Sequence, residues 1–433
     1  MFTEDEAFAG VADSIQRRIN MKKKVISMVC SMAMAAALLA GCSGTPVTED
    51  TTSTAASTEA AAETEASEEA STEAATEAAE AGDESAALNI AIVSSPSGVD
   101  DGSFNQNNYE GIQAFIAENP DSKVTPIKEE TGDTTACYQT VEGIVADYDV
   151  IVCCGFQFAG IGPIAEENPD VDFILVDTNP TDADGNEAQY DNVYSMTFKE
   201  QESGFLAGIA AAMTTQTGKV AVVNGIAYPS NVNYQYGFMC GVKYANKNYG
   251  TNAEYVEESA YAGTDVTGAN VGGNYVGSFA DEATGKIVGE ALIGDGCDVI
   301  FVAAGASGNG VFTAVKEAST ADKPVYVIGC DTDQYNDGVN GDSNIILTSG
   351  LKIMDKNVEK QLNNVKNGTF KGENALLGAD TDSTGFVSDP AHCQLSDEAI
   401  EKINEAYELI KDGTIVPASN FGGTTPDDFV GLN

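Results

Sequence analysis

Asp101, Ser103, Phe104 and Asn105 stand close together in the stretch SSPSGVDDGSFN, where they offer a carboxylate, a hydroxyl, a flat ring and an amide. Such groups can hold a small polar molecule with an aromatic part. The ring stacks, the carboxylate accepts charge-assisted hydrogen bonds, and the amide donates or accepts. Comparable clusters recur as Gly155-Phe156-Gln157-Phe158, Asp177-Thr178-Asn179, Asn224-Gly225, Ala304-Gly305-Ala306-Ser307-Gly308-Asn309-Gly310 and Asp331-Thr332-Asp333-Gln334. Lys352, in TSGLK, adds a cation. Gly, Asn and Asp are also ordinary turn formers, so no single cluster marks a site.

None of the clusters has the spacing of a catalytic or metal-binding motif. The chain holds one histidine, His392, so a histidine-centred triad or a multi-histidine metal site has nothing to be built from. No G-x-x-x-x-G-K-[ST] occurs, and Gly308-Asn309-Gly310 lacks the third glycine of a dinucleotide fingerprint. Asp331-Thr332-Asp333 and Asp380-Thr381-Asp382 begin like calcium loops. Tyr335 occupies a ligand position in the first, however, and Ala391 the closing glutamate position in the second. The expectation is a protein that binds without covalent chemistry and needs no cofactor.

The elements that carry these clusters give them meaning. From Leu88 onward, short apolar runs alternate with helix-length amphipathic stretches, the pattern of parallel strands buried on both faces and joined by crossover helices. The runs are LNIAIVSS (88–95), YDVIVCCG (148–155), VDFILVDT (171–178), KVAVVNG (219–225), CDVIFVAAG (297–305) and KPVYVIGCD (323–331). Helices are predicted near 106–118, 135–147, 160–168, 200–214, 232–246, 281–294, 309–319, 354–366 and 396–411. The fold class is therefore α/β, with two doubly wound parallel-sheet lobes between which the chain crosses more than once. The first lobe is expected over about 88–197 plus a returning C-terminal part, and the second over about 198–332. Every cluster then falls at the carboxyl end of a strand, where open α/β sheets bind ligands. That recurrence favours a site over plain turn chemistry.

Charge and the amino terminus narrow the function further. The 433 residues carry 67 acidic and 21 basic side chains, a formal charge of −46 that repels phosphate backbones and excludes nucleic acid as a partner. Residues 1–41 read as an N-terminal extension and a lipoprotein signal peptide: Met21-Lys22-Lys23-Lys24, an uncharged run from Val25 to Ala40, then Gly41-Cys42. The apolar run, about 16 residues, is shorter than the roughly 20 that a membrane span needs. Glu4, Asp5, Glu6 and Asp13 precede the charged region and make Met21 the better start. Leu39-Ala40-Gly41-Cys42 resembles the bacterial lipobox, which implies lipidation of Cys42 and anchoring at the extracytoplasmic face of the cell membrane. Residues 42–87, rich in Thr, Glu, Ala and Ser, cannot recover ordering entropy by burial and are expected to be a disordered tether. Seven cysteines remain beyond Cys42, an odd number without a CxxC, several inside apolar runs. Reduced core thiols are expected.

The segments VDDGSFNQNNYEGIQAF, GFQF, FILVDT, VYSMTFKEQESGFLAGIAAAM, YVGSFADEATGKIVGEAL, DVIFVAAGASGNGVF, VYVIGCDTDQ and ILTSGLK follow in the order seen in the basic membrane protein family. The chain resembles that family over essentially its whole body. Its members are lipid-anchored substrate-binding proteins of ABC importers, the best known being purine nucleoside receptors. The resemblance implies a type I periplasmic-binding fold, a hinge of several crossovers and one ligand closed between two lobes, with ABC permease and ATPase subunits as partners. The acidic body and the insertion GTDVTGANVGGN before Tyr275 depart from the family pattern.

A nucleoside makes demands these residues can meet. An aromatic side chain stacks on a base for roughly 1–3 kcal/mol, and Phe104 is the first candidate. The family implies a second ring, for which Phe158, Phe279 and Phe301 stand open. Phe301 alternates within a buried strand, whereas Phe158 follows a glycine at a strand end and is preferred. The resemblance implies Asp331 as acceptor for the vicinal ribose hydroxyls, and Lys352 as partner of the sugar or of Asp331. Asp177 and Asn105 suit the base edge. Asp101 either contacts ligand or caps the helix beginning near Gln106. Gly305 lets backbone approach the ligand. The expected function is capture of a nucleoside and its delivery to a permease. A sugar or other solute and a ligand sensor are alternatives. A nucleoside hydrolase would need a water-activating group for which no dedicated cluster is seen.

Overall fold

The computed structural model describes residues 87–429. The signal peptide, Cys42 and the tether lie outside the described residues. The first lobe runs through β1 (Asn89–Ser94), α1 (Phe104–Glu118), β2 (Lys123–Lys128), α2 (Thr134–Ile144), β3 (Val150–Cys154), α3 (Gly162–Glu167), β4 (Asp172–Val176) and β5 (Val193–Phe198). Beyond Lys199 the second lobe follows with α4 (Glu200–Thr214), β6 (Lys219–Asn224), α5 (Pro229–Asn248), β7 (Glu254–Tyr255), α6 (Glu282–Gly294) and β8 (Val299–Ala303). It continues through α7 (Ser307–Ala318), β9 (Tyr326–Asp331) and β10 (Ile346–Lys352). The chain then returns to the first lobe as α8 (Met354–Lys366) and β11 (Glu373–Leu377), and crosses a third time to β12 (Thr384–Phe386) and α9 (Asp397–Lys411).

The sheets repeat one design. Their orders are β11-β5-β4-β3-β1-β2 and β12-β10-β9-β8-β6-β7, so five strands of each lobe follow the same doubly wound sequence. All pairs are parallel except β10 with β12, where Gly350 opposes Phe386. The second lobe extends further along the chain than expected. β10 continues it to residue 352, and β12 and α9 belong to it as well.

Burial explains which residues form these strands. In β3 every residue is buried, with Val152 and Cys154 in one core and Ile151 and Cys153 in the other. The adjacent cysteines thus point to opposite faces of the sheet, and all seven described cysteines are free thiols. β2, an edge strand, tolerates Pro126 because one side of its backbone has no partner. α4 is buried along nearly its whole length. It lies against α5 so closely that a Cβ at Gly204 or Gly208 would strike the backbone of Tyr234 or Phe238, and one at Gly237 that of Gln201. This contact sets Glu200 and Tyr234 beside the interlobe cleft. The insertion before Tyr275 folds as a two-stranded hairpin, Gly263–Thr264 with Asn270–Gly272, outside the cleft. No helix among the described residues is long and apolar enough to cross a membrane.

Candidate functional site

A cavity of about 570 Å³, its open mouth included, lies between the carboxyl ends of the two sheets. Asp101, Phe104, Asn105, Asp177, Gly305, Asp331 and Lys352 all line it. Besides the ion pair of Lys352 with Asp177, hydrogen bonds join the lobes around it. Ser97 Oγ donates to the Phe279 carbonyl (3.0 Å), Ser103 Oγ to Asp331 Oδ2 (2.9 Å), and Gln334 Nε2 to the Gly102 carbonyl (2.9 Å).

The loop after β1 is built on Asp101. Its carboxylate accepts from the backbone N–H of Ser103 (3.1 Å), Asn105 (3.2 Å) and Gln106 (3.0 Å), and from Asn105 Nδ2 (2.7 Å). It therefore caps the exposed donors of α1 while lining the cavity. Burial raises its pKa against the pull of these bonds. Asn105 is equally engaged: Oδ1 accepts from the Ser95 N–H (3.2 Å), and Nδ2 donates to Ser95 Oγ (2.9 Å) and to Asp101. Its amide shapes the cavity wall and has little capacity left for a base edge.

Lys352 closes the deep end. Its ammonium donates to both carboxylate oxygens of Asp177 (2.8 and 2.7 Å) and lies 3.5 Å from Glu200 Oε1, all three side chains being buried. From sequence, Lys352 is expected beside the sugar or Asp331, and Asp177 at the base edge. The structure pairs the two with each other across the lobes. Burial opposes the charge on Lys352, but Asp177, Glu200 and Asp331 together outweigh it and raise its pKa. Burial also lifts Asp177, with Lys352 pulling it down, and lifts Glu200 to about 7, again against Lys352. The ammonium stands 5.0 Å from the centre of the Phe104 ring and 5.4 Å from that of Phe198, a cation–π arrangement that fixes Phe104 at this end.

Among the described residues no such cation is bonded to Asp331. Oδ1 accepts from the Tyr234 hydroxyl (2.8 Å) and Oδ2 from Ser103 Oγ. Oδ1 also accepts from the Cys330 thiol (3.5 Å), so the further acceptor site lies on Oδ2.

The opposite end is aromatic. Phe156 and Tyr228 stand with ring centres 5.3 Å apart, and Tyr228 and Phe279 5.9 Å apart, so rings from both lobes form one wall. Phe158 does not join it. It is 1% exposed and packs with Ile161 and Ile164 in the first-lobe core, and Phe156 takes the cavity position instead. Gly155 at φ 118° turns the chain so that the residue directly after it faces the cleft. Phe301 is core, stacked on Phe238. Gly305, at φ 52°, lies beneath Phe279: a Cβ there would stand 3.4 Å from the Phe279 carbonyl oxygen. Tyr228, Glu200 and Tyr234 lie outside the clusters that the sequence marks, and Phe156 lies within one of them without being singled out there as a ring. Only Phe156 carried a local signal, its place beside the glycine.

A family model described as ABC transporter substrate-binding protein, PnrA-like, matches residues 88–270 and 261–420. The CD4+ T-cell-stimulating antigen of Listeria monocytogenes is 31% identical over 343 residues, covering 76% of this chain and 88% of the relative. The ABC transporter nucleoside-binding protein BmpA of Lactococcus lactis is 29% identical over 366 residues, covering 81% and 87%. Among solved structures, an ABC transporter solute-binding protein from Aeropyrum pernix superimposes with a TM-score of 0.64 at 25% identity, covering 76% of this chain and 92% of that one.

Proposed function

This chain belongs to the PnrA-like family of ABC transporter substrate-binding proteins, and we propose that it captures a nucleoside, preferentially a purine nucleoside, between its lobes and delivers it to an ABC permease. The observation that carries this reading is the division of the cavity into an aromatic wall of Phe156, Tyr228 and Phe279 and a carboxylate end at Asp331. A base stacks against rings with little demand for fixed hydrogen bonds. Ribose hydroxyls donate to an ionised carboxylate, a bond roughly twice as strong as a neutral one. Phe104, between Lys352 and the cleft, gives the ligand a further ring.

The same electrostatics favour an unphosphorylated ligand. Among the described residues Lys352 is the one basic side chain lining the cavity, and Asp177 already occupies it. A phosphate would meet Asp101, Asp177 and Asp331 without a free cation. The nucleoside-binding relative from Lactococcus lactis supports the substrate class. Ligand contacts with both lobes hold a hinged cleft shut. In this reading Cys42 carries the lipid that keeps the protein at the extracytoplasmic face of the membrane.

The test is a panel of thermal shifts on protein unfolded and refolded to strip carried-over ligand, with adenosine, guanosine, inosine, cytidine, ribose, free bases and other sugars. Ligand at about a thousand times Kd adds roughly 4 kcal/mol of stability. Shifts with purine nucleosides support the reading. A shift with a free sugar and with no nucleoside overturns it and leaves the fold untouched.

A further inference from the structure

A second void of about 740 Å³, its mouth included, adjoins the cavity on one side. The two share Ser95, Gln157, Tyr228 and Phe279, all at the aromatic end. Asp177, Asp331 and Lys352 take no part in the second void. Accordingly the carboxylate end is closed by packed charges, whereas the aromatic end continues outward into a vestibule. Resting on the nucleoside reading above, the geometry points to this vestibule as a subsite for a neutral, apolar substituent on the base, so that the protein takes base-substituted nucleosides as well as plain ones.

The vestibule is a built wall rather than a gap between loose loops. The buried carboxylate of Glu129 accepts from the Thr131 N–H (3.1 Å), Thr131 Oγ1 (2.8 Å) and the Gly132 N–H, which fixes the loop that forms one side. The Ser97 bond to the Phe279 carbonyl fixes the other side against the first lobe. Pro96, Ile226 and Ala280 supply apolar surface between them. At the rim Glu130 is exposed and lies 3.6 Å from Lys128. The walls therefore suit an uncharged alkyl or aryl group and repel an anionic one. A base stacked on Tyr228 and Phe279 with its ribose toward Asp331 directs its outer edge into this space.

Calorimetry on the stripped protein tests the subsite with adenosine, adenosine carrying a benzyl group on its exocyclic amine, and ribose. The substituted nucleoside is expected to bind within about threefold of adenosine. Ala280→Trp, which fills the vestibule from an exposed position outside the main cavity, should weaken the benzyl compound by about tenfold or more while changing adenosine by less than about threefold. Tight adenosine binding with the benzyl compound excluded from wild type would overturn the subsite and keep the nucleoside reading. An equal loss of both ligands in Ala280→Trp would also overturn it. Binding of ribose alone would remove both inferences together.

Discussion

Asp177 and Asp331 hold corresponding places in the two lobes, each at the carboxyl end of the fourth strand in the shared order. The sequences around them are alike, ILVDT and IGCDT, and both residues sit at positive φ, 66° and 69°. That left-handed backbone is uncommon outside glycine and is best tolerated by Asp and Asn. It turns both carboxylates into the cleft. Their surroundings then separate them. Asp177 gives both oxygens to the buried ammonium of Lys352, whereas Asp331 is held by two neutral hydroxyls from different lobes. A repeated backbone thus delivers two equal groups, and the cation of Lys352 makes one a structural counter-ion while the other is held by neutral groups.

The sharpest way to break this comparison is to remove the cation. Lys352→Met leaves Asp177 and Glu200 buried without their partner and should cost about 3–5 kcal/mol in urea unfolding. Asp331→Asn keeps a residue suited to positive φ and two hydroxyl neighbours, and should cost about 1 kcal/mol or less. Equal losses would erase the distinction. In binding the order reverses. Asp331→Asn, measured by calorimetry, should weaken a purine nucleoside by about 10- to 100-fold, the worth of hydrogen bonds to a charged group.

The aromatic wall offers a smaller contrast within one segment. Phe156→Ala should lose about 1–3 kcal/mol of nucleoside binding and little stability. Phe158→Leu should lose about 1 kcal/mol of stability in urea unfolding, with affinity unchanged in calorimetry. Reversed roles would place the wrong ring in the cleft.

A further contrast lies in pH dependence. Glu200 is lifted from 4.5 to about 7 by burial, so the folded state holds its proton more tightly than the unfolded chain does. Its favourable contribution is complete below about 4.5 and is lost as pH rises toward 7, stability falling where the folded state binds more protons. Glu200→Gln should reduce that decline by about 1–3 kcal/mol between pH 5 and pH 8 in chemical denaturation. Asp177 and Asp101, lifted in the same direction, keep it from vanishing. A decline as steep as in wild type would show that Glu200 is ionised throughout.

What the sequence disclosed follows from where each residue's partners lie. The strands buried on both faces announce themselves as apolar runs, so β1, β3, β4, β6, β8 and β9 were legible. β5 and β10 were not, because their polar residues are satisfied by distant partners. Thr197 Oγ1 donates to the Ala375 carbonyl (3.1 Å), and Thr348 Oγ1 to the Val387 carbonyl (2.6 Å). β2 shows solvent a polar edge. The placement of the site at strand ends was legible for the same local reason. The pairing of Lys352 with Asp177, far apart in sequence, was not. Nor was the arrival of Glu200 and Tyr234, which depends on glycines bringing two helices into backbone contact. The choice between Phe156 and Phe158 turned on one glycine dihedral.

The most direct test of the division between the two aspartates is the affinity of inosine relative to 2′,3′-dideoxyinosine, measured by calorimetry for the wild type, Asp331→Asn and Asp177→Asn. If Asp331 is the acceptor for the ribose hydroxyls, the wild type should favour inosine by about tenfold or more, and that preference should collapse in Asp331→Asn while surviving in Asp177→Asn. A preference that persists in Asp331→Asn and disappears in Asp177→Asn would reverse the two roles and contradict the assignment.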